Sequence, residues 1–424
     1  MEIFEPSNGL NAPHMTSQAR IIAFHLPQFH PTPENDEWWG KGFTEWTNTA
    51  KALPLFPDHY QPHVPADLGF YDLRLPEARR AQADLAREHG IEGFCYYHYW
   101  FNGRRILERP FNEVLASGKP DFPFCLCWAN ENWTRVWDGG EKNVLLQQNY
   151  SDADDLAHNQ SLMLSFRDPR YIRIDGRPLF LVYRTELMPD PARTAAIWRD
   201  AAIKAGIGDL YLARVEGFQR GVDPAEIGFD AAVEFAPSWD VGTPKFTKGV
   251  AGSLSRAGVL PKSFADNDVI NYSAVAQAMA ARPPARYKQF RCATPMWDNS
   301  ARRKQGARIL VDSTPAQYEA WLKSLARQTL ADKSGDDRIV FINAWNEWAE
   351  GNHLEPDLKW GHAYLEATSR ALAETEAARP QSPAAPQQHA ATAGPSPWRQ
   401  RYWSARSWLS RQREILSLMF SRRS

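Results

Sequence analysis

Two glutamates in the second half of the chain have the type and spacing that glycosidic bond chemistry uses. Glu347 and Glu350 follow an apolar run at 341–344 that is typical of a buried strand. On a continuing strand their side chains would face opposite sides, so they share a pocket only if the chain turns, and Gly351 is available for that turn. One carboxyl would protonate the leaving oxygen while the other acts as base or nucleophile. The alternative is a chance pair of surface glutamates, as for most isolated Glu-x-x-Glu pairs.

The residues around this pair favour a sugar ligand over a plain surface. They are Asn343, Trp345, Asn346, Trp348 and Glu355. Aromatic rings can stack against the C–H faces of a sugar, while amides and acids hydrogen-bond its hydroxyls. The chain also holds 17 tryptophans, more than a core requires. This composition indicates a glycan ligand.

Further polar and aromatic residues follow other apolar runs. In chain order they are His25, Gln28, His98, Trp128, Asn130, Glu131, Trp133, Glu234, Trp297 and Asp298. Glu131 either orients the sugar or forms a structural salt bridge. His25 and His98 are expected to hydrogen-bond sugar hydroxyls rather than bind a metal, because no carboxylate-rich ligand set accompanies them. The candidate stacking platforms are Trp46, Trp128, Trp133, Trp345 and Trp348. For each of them the alternative is a place in the hydrophobic core.

Eight short apolar segments that alternate with helical patterns would position these residues. Strands are predicted at 20–29, 91–100, 122–133, 178–184, 209–215, 231–235, 289–295 and 338–344. Helices are predicted at 75–89, 112–117, 152–166, 191–205, 273–281, 314–330 and 362–377. The stretch WWGKGFTEW at 38–46 lies in a long connection with too many prolines and glycines for a helix. Residues 240–284 are predicted to form an irregular insertion after strand six.

This alternation predicts an α/β fold in which right-handed crossovers join parallel strands. A closed (β/α)8 TIM barrel is the economical arrangement for eight strands, and its catalytic groups lie at the carboxyl ends of the strands. The candidate residues fall at such ends. The rival fold, an open doubly wound sheet, uses a glycine-rich phosphate turn or a switch-point crevice, and no G-x-G-x-x-G follows any strand here.

The sequence divides into four parts. A polar leader at 1–19 precedes the barrel domain at 20–378, and a flexible linker rich in Pro, Ala and Gln follows at 379–397. Residues 398–424 are predicted to form a basic amphipathic helix with seven arginines and one glutamate, a net charge of +6 that leaves −7 for the rest of the chain. Such a helix can lie in the interface of an anionic membrane, and the alternative is docking on the barrel or on a partner.

The four cysteines and the hydropathy bear on location. Cys95, Cys125, Cys127 and Cys292 lie in apolar runs without metal-ligand spacing and are expected to be reduced core thiols. The first twenty residues lack an apolar segment of signal-peptide length, and no segment has the length of a transmembrane helix. The expected location is cytoplasmic, with peripheral contact at the inner membrane as an alternative through the basic helix.

Three motifs resemble those of the WbsX-like proteins of bacterial surface-polysaccharide gene clusters: WWGKGFTEW, CWANENW at 127–133 and NAWNEWAEG at 343–351. The resemblance covers about 20–377, and that family looks similar to glycoside hydrolase family 99, the endo-α-mannosidases. It implies a retaining barrel hydrolase without metal or cofactor. Glu347 would be the base that activates the 2-hydroxyl of the substrate, which attacks to give a 1,2-anhydro sugar, and Glu350 would be the general acid and then base.

These features predict an enzyme that cleaves or transfers a glycosyl unit of a surface polysaccharide (O-antigen or capsule) or its lipid-linked precursor; no nucleic-acid partner is expected. The alternatives are a glycosyltransferase of polysaccharide biosynthesis and a non-catalytic glycan-binding protein. Asp152 and Asp154 form a D-x-D, but they begin a predicted helix, where acids favour the helix dipole. A transglycosylase would fit both the hydrolase and the glycosyltransferase interpretations. The pair of acids argues against a protein that only binds glycan.

Overall fold

Eight parallel strands form a closed barrel in the computed structural model, which describes residues 18–135, 140–243, 245–246, 249–303 and 305–377. The strands are β1 Arg20–His25, β2 Gly93–Phe101, β3 Phe124–Trp128, β4 Arg177–Val182, β5 Tyr211–Glu216, β6 Ala231–Glu234, β7 Gln289–Ala293 and β8 Ile339–Ile342. Each strand pairs with the next in parallel, and β1 closes the barrel by pairing with both β2 and β8. The predicted (β/α)8 barrel is confirmed.

Eleven α-helices lie among the described residues. They are α1 Pro33–Trp39, α2 Glu45–Lys51, α3 Pro76–Glu88, α4 Arg109–Ser117, α5 Asp152–Arg167, α6 Pro191–Lys204, α7 Val250–Arg256, α8 Ser263–Asp266, α9 Tyr272–Ala280, α10 Pro315–Asp332 and α11 Ala363–Ala377. Local sequence explains their starts. Thr314 caps α10 by accepting a hydrogen bond from the Gln317 backbone N–H, and Pro315 occupies the first helical position.

The connection after β1 differs from its prediction. It contains α1 and α2, so the expectation that prolines and glycines exclude helix there was wrong. Thr32 caps α1 by accepting from the Asn35 backbone N–H, and Pro33 begins the helix. Gly40, at a φ of 100°, ends α1. The glycines therefore separate two short helices instead of preventing them.

Several short elements complete the barrel ends. Trp133–Arg135 and Gly140–Leu146 form an antiparallel hairpin, so the third strand ends earlier than predicted, at Trp128. Arg104–Ile106 pairs with β2, and Arg173–Ile174 pairs with β4. The insertion after β6 carries α7 to α9 and one strand, Asp268–Asn271, which pairs in parallel with Arg308–Val311 beyond β7.

Between β5 and β6 a 3-10 turn, Pro224–Ile227, stands where other connections have an α-helix. A buried ion pair lies beside it on the outer face of the barrel. Arg214 and Glu216, both fully buried, lie 3.1 Å apart, and Gln289 donates a 2.5 Å hydrogen bond to Glu216. Polar side chains can occupy this layer because each finds a partner there.

Three further expectations concern the cysteines, membrane-spanning helices and the terminal segments. The four cysteines are free and buried, as predicted. No helix in the described ranges is long and apolar enough to cross a membrane. Residues 1–17 of the predicted leader, the linker at 379–397 and the basic helix at 398–424 lie outside the described residues.

Candidate active site

After β8 the chain turns back on itself, and this turn carries both glutamates. Asn346–Glu347 pairs antiparallel with Asn352–His353, and the 3-10 turn Trp348–Glu350 connects the two segments. Gly351 follows at a φ of 52°, in the left-handed region that favours glycine. A Cβ atom there would lie 3.0 Å from the Cβ of Asp298, so space also requires glycine. The predicted turn at Gly351 is confirmed.

One guanidinium joins the two carboxylates. Arg302 Nη2 lies 2.8 Å from Glu347 Oε2, and Arg302 Nη1 lies 2.8 Å from Glu350 Oε1. Arg302 follows the 3-10 turn Asn299–Ala301, which Asp298 caps by accepting a hydrogen bond from the Ser300 backbone N–H. The Asp298 backbone N–H also donates to the Glu350 carbonyl at 2.6 Å. Two loops thus hold the glutamates in one pocket.

A third carboxylate completes the cluster. Glu45, the first residue of α2, is fully buried, and its Oε1 lies 2.5 Å from Arg302 Nη2. The same oxygen accepts a 3.0 Å hydrogen bond from the Ala349 backbone N–H. Neither Glu45 nor Arg302 was among the predicted site residues. The available signal was the place of Glu45 within WWGKGFTEW, whereas Arg302 lies in a polar segment without a recognisable pattern.

Burial and charge favour a retained proton in this cluster. Burial raises the pKa of Glu347 to about 8; Arg302 opposes this shift, while Glu350 and Glu45 add to it. Burial also raises the pKa of Glu350 against the opposing charge of Arg302. Three ionised carboxylates around one guanidinium would leave two uncompensated negative charges in a buried site. Such a site can therefore hold an acid and a base at neutral pH.

Three tyrosines lie near the glutamates on the inner side of the barrel. Burial and the nearby Glu347 charge raise the pKa values of Tyr97, Tyr99 and Tyr183. The rings of Tyr97 and Tyr183 are 6.1 Å apart, edge to face. These hydroxyls are suited to sugar hydroxyls, although none of the three was among the predicted site residues.

A layer of buried residues supports the glutamate turn from beneath. Trp348 donates a 2.6 Å hydrogen bond to Glu355, which also accepts from Tyr71 at 2.9 Å. Burial raises the pKa of Glu355 to about 7. The Trp46 ring packs 5.4 Å from that of Trp348. Asn346 accepts from the Leu26 N–H at 2.7 Å and so fixes the turn to the end of β1. The predicted residues Trp46, Asn346, Trp348 and Glu355 thus lie together next to the acids.

Asp298 is held by the long connection after β1. His59 Nε2 and Gln61 Nε2 each donate a 2.7 Å hydrogen bond to Asp298 Oδ2. Although burial opposes the shift, the His59 and Ser300 hydrogen bonds lower the pKa of Asp298. Its neighbour Trp297 is buried. Asp298 is therefore a charged support for the segment that ends at Arg302.

The end of β3 contributes a rim. Glu131 forms an ion pair with Arg184, and the Glu131 side chain is 40% exposed. Burial and then the charges of Glu131 and Glu350 raise the pKa of Tyr183, which directly precedes Arg184 in the chain. Asn130 donates to the Arg184 carbonyl at 2.8 Å. The half-buried Trp133 packs 5.5 Å from Tyr99.

Three other predicted residues face the surrounding helices instead. His25 contacts Gln82 of α3 at 3.3 Å, and His98 contacts His158 of α5 at 2.9 Å. The Trp128 ring packs 4.6 Å from that of His158. Strand register explains this orientation, because register partners on neighbouring strands point to the same side of the sheet. His25 pairs with the outward-facing Tyr96, and His98 pairs with Trp128. The structure does not bring these residues to the glutamates, which corrects their expected location.

Glu234 also points outward, where it lies 2.8 Å from Arg282 and 3.1 Å from Arg291. Trp345 is fully buried against Phe94, with ring centroids 5.1 Å apart. Both residues are therefore away from the carboxylate cluster. The buried Asn343 donates to the Ala236 carbonyl at 2.8 Å. Gln28 is buried, and its carbonyl accepts from the Glu45 N–H at 2.9 Å.

One group of described residues has metal-ligand atoms within 4.8 Å of one another: His63, His353 and Asp357. His63 Nδ1 and His353 Nε2 are 2.8 Å apart, and His353 Nδ1 lies 2.9 Å from the Glu355 carbonyl. Two nitrogen ligands of one tetrahedral zinc ion would stand about 3.3 Å apart. The observed separation is that of a hydrogen bond, so the geometry favours a hydrogen-bonded histidine pair. The expected absence of a metal stays a prediction.

The closed barrel and its buried acid cluster define a (β/α)8 protein with a candidate active site at the carboxyl ends of its strands. The chain belongs to the family described as glycosyltransferase WbsX, whose model matches residues 21–368. The resemblance drawn from the three motifs is thereby confirmed.

Two relatives named "uncharacterized protein WxcX" come from Xanthomonas campestris pv. campestris, one of them from strain B100. Each is 48% identical to this chain over 357 residues. The match covers 84% of this chain and 50% of each relative. The chain thus spans about half the length of the curated relatives it matches.

Solved structures share the fold. A GH99 endo-alpha-mannosidase from Bacteroides thetaiotaomicron has a TM-score of 0.50 and 15% identity, over 84% of this chain and 97% of that chain. A glycoside hydrolase-like protein has a TM-score of 0.51 and 15% identity, over 86% and 97%. At this level of identity the likeness shows the barrel fold alone.

Proposed function

We propose that this barrel cleaves or transfers a glycosyl unit of a bacterial surface polysaccharide, or of its lipid-linked precursor, with retention of configuration. The observation that carries this proposal is the contact of Arg302 with both Glu347 and Glu350, each at 2.8 Å, in a buried pocket. A glycan-binding protein has little use for such a pair, because burying several carboxylates together costs free energy.

In the proposed first step, Glu350 donates its proton to the leaving glycosidic oxygen. Glu347 removes the proton of the 2-hydroxyl, whose oxygen attacks the anomeric carbon as the glycosidic bond breaks. The product is a 1,2-anhydro sugar, and Glu350 is now ionised while Glu347 is protonated. Burial favours a proton on Glu347 in the free protein, so this assignment requires the proton to lie on Glu350 once substrate is bound.

In the second step, the ionised Glu350 removes a proton from an acceptor hydroxyl, which opens the three-membered ring at the anomeric carbon. Glu347 returns its proton to the 2-oxygen. Two inversions give net retention. Water as acceptor gives hydrolysis, whereas a sugar hydroxyl gives transfer, and the family description as glycosyltransferase supports keeping transfer within the proposal. We place the reaction in the cytoplasm, with residues 398–424 as a peripheral contact with the inner membrane.

The test is proton NMR of the purified protein mixed with the surface polysaccharide of its own source, next to Glu347→Gln. New anomeric signals of retained configuration, absent with the variant, are expected. Cleavage with inversion would contradict the mechanism. Broadened glycan signals without cleavage would favour a binder or a transferase that awaits its donor, and lipid-linked oligosaccharides would then be supplied.

Leaving-group dependence separates the two glutamates. Glu350→Gln is expected to lose less activity on an aryl glycoside whose leaving group needs no proton than on the natural linkage. Glu347→Gln is expected to lose both activities equally. The opposite pattern would exchange the two roles.

A further inference from the structure

A second cavity, with a volume of about 530 Å³, lies at the insertion that follows β6. The side chains that matter for its chemistry are Trp239, Lys245, Asp268 and Arg308. Asp268 and Arg308 are register partners in the parallel strand pair that forms one wall. The cavity is thus built on regular secondary structure.

Positive charge exceeds negative charge among these side chains. Lys245 Nζ lies 2.5 Å from Asp268 Oδ2, which neutralises one cation. The Arg308 guanidinium lies over the Trp239 ring at 4.8 Å and has no carboxylate within ion-pair distance in the described ranges. Burial lowers the pKa of Arg308; Asp268 opposes this shift, and the nearby Arg303 charge adds to it. Arg308 is therefore a cation near a second cation.

The cavity is close to the candidate active site. The Trp239 ring packs 5.7 Å from that of Trp297, which directly precedes Asp298. The Leu310 N–H, from the strand of Arg308, donates to the Trp297 carbonyl at 2.8 Å. Arg303 follows Arg302 directly, and its charge acts on both Glu350 and Arg308. The cavity therefore borders the loop that carries Asp298 and Arg302, next to the candidate active site.

We propose that this cavity binds an anionic group of the glycan, either the carboxylate of a uronic acid or a phosphate. The Arg308 guanidinium would pair with two oxygens of that group, since its planar fork matches carboxylate and phosphate geometry. Lys245 would add a second cation, and the Trp239 ring would pack against the sugar. This inference rests on the proposed function, because it takes the ligand to be a glycan. It adds that the substrate is acidic.

The experiment is calorimetric binding of small probes to the full chain. Glucuronate and glucose 1-phosphate represent the two anionic groups, inorganic phosphate tests the anion alone, and glucose is the neutral control. We expect both anionic sugars, or one of them, to bind at least about tenfold more tightly than glucose, with affinity that falls as salt rises. The preferred probe identifies the source of the charge. Equal affinity for glucose, or no binding of any anionic probe, would overturn the proposal.

The test variant combines Lys245→Gln and Arg308→Gln in the cavity. The control variant is Arg80→Gln, on the exposed side of α3. The double variant should lose the preference for anions, with an unchanged circular dichroism spectrum, while Arg80→Gln should keep it. Unchanged anion binding in the double variant would place the ligand elsewhere and contradict the inference.

The two proposals fail in distinguishable ways. Glu350→Gln should bind the anionic probes as well as the natural protein does. Turnover of neutral glycans, without preference for anionic ones, would remove the cavity proposal and leave the proposed function. Anion binding that depends on Arg308, without turnover of any glycan, would remove the proposed function and leave the cavity as an anion-binding site.

Discussion

Glu350 is the residue at which the proposed chemistry can be tested most directly. Its carboxyl touches Arg302, and its exposure allows contact with a leaving oxygen. Glu350→Gln should reduce turnover of natural glycans by about 100-fold or more, the usual contribution of a general acid, with folding and glycan binding nearly intact. Initial rates, calorimetric binding and thermal melting measure the three quantities. An active Glu350→Gln enzyme would remove the assignment.

Arg302 is expected to control the protonation of both glutamates. Its charge lowers the pKa values of Glu347 and Glu350 against burial, so Arg302→Met should raise both further. The base would then ionise only at higher pH, and the acidic limb of the pH–rate profile should move upward. Arg302→Lys keeps the charge but loses the fork that reaches both acids, so it should fold well and turn over slowly.

The readout for Arg302 is the full pH–rate profile, measured together with thermal melting. A merely structural arginine would lower the melting temperature without moving the acidic limb. An acidic limb that stays in place in Arg302→Met, in protein that remains folded, would contradict the predicted control of protonation.

Glu355 gives a prediction about stability and pH. Burial raises its pKa from the ordinary 4.5 to about 7, so the folded state holds this proton more tightly than the unfolded state. The free energy of unfolding should therefore fall as pH rises from 4.5 to 7, by roughly 3 kcal/mol from this group. Glu355→Gln removes the titration and should flatten that decline. Urea unfolding of both proteins at several pH values measures it, and identical slopes would contradict the prediction.

At the scale of elements, the turn after β8 has a matched pair of glycines for a test. Gly351 and Gly335 have φ angles of 52° and 55°, but only at Gly351 would a Cβ atom meet a neighbour, Asp298, at 3.0 Å. Alanine at either position should cost about 1–2 kcal/mol from backbone strain. Gly351→Ala should in addition displace Glu350 and reduce turnover.

Thermal melting and initial rates of both glycine variants separate these effects. Gly335→Ala is expected to melt earlier than the natural protein while its turnover stays normal at a temperature where it is folded. Equal turnover of the two variants would show that the close contact with Asp298 does not position Glu350.

The elements also show which parts of the site a sequence can predict. Apolar runs and helix caps locate β8 and α10 closely, because these signals are local. Which face of a strand looks inward depends on register with its neighbours, and for this reason His25 and Glu234 were expected in the pocket although they face outward. Arg302 lies 257 residues from Glu45 and meets it only through the closed barrel. Such a contact has no local signal.

At the scale of the whole molecule, this chain corresponds to about half of its relatives' length. The barrel nevertheless has a closed sheet and a buried carboxylate cluster of its own. The residues to which the proposed chemistry assigns a role lie within residues 20–377. Activity of this chain by itself is therefore expected on soluble glycan fragments.

The basic segment at 398–424 gives the last prediction. Seven arginines against one glutamate would attract it to an anionic membrane, at about 1 kcal/mol for each cation near the surface, while its tryptophans and leucines enter the interface. Deleting 398–424 should release the protein from membrane fractions without changing turnover of soluble substrate. Sedimentation with phosphatidylglycerol vesicles should be lost too, and phosphatidylcholine vesicles should bind neither form. Replacing the seven arginines with glutamine, with the apolar residues kept, separates charge from apolar insertion. Unchanged sedimentation of the deleted form would contradict the proposed membrane contact of this segment.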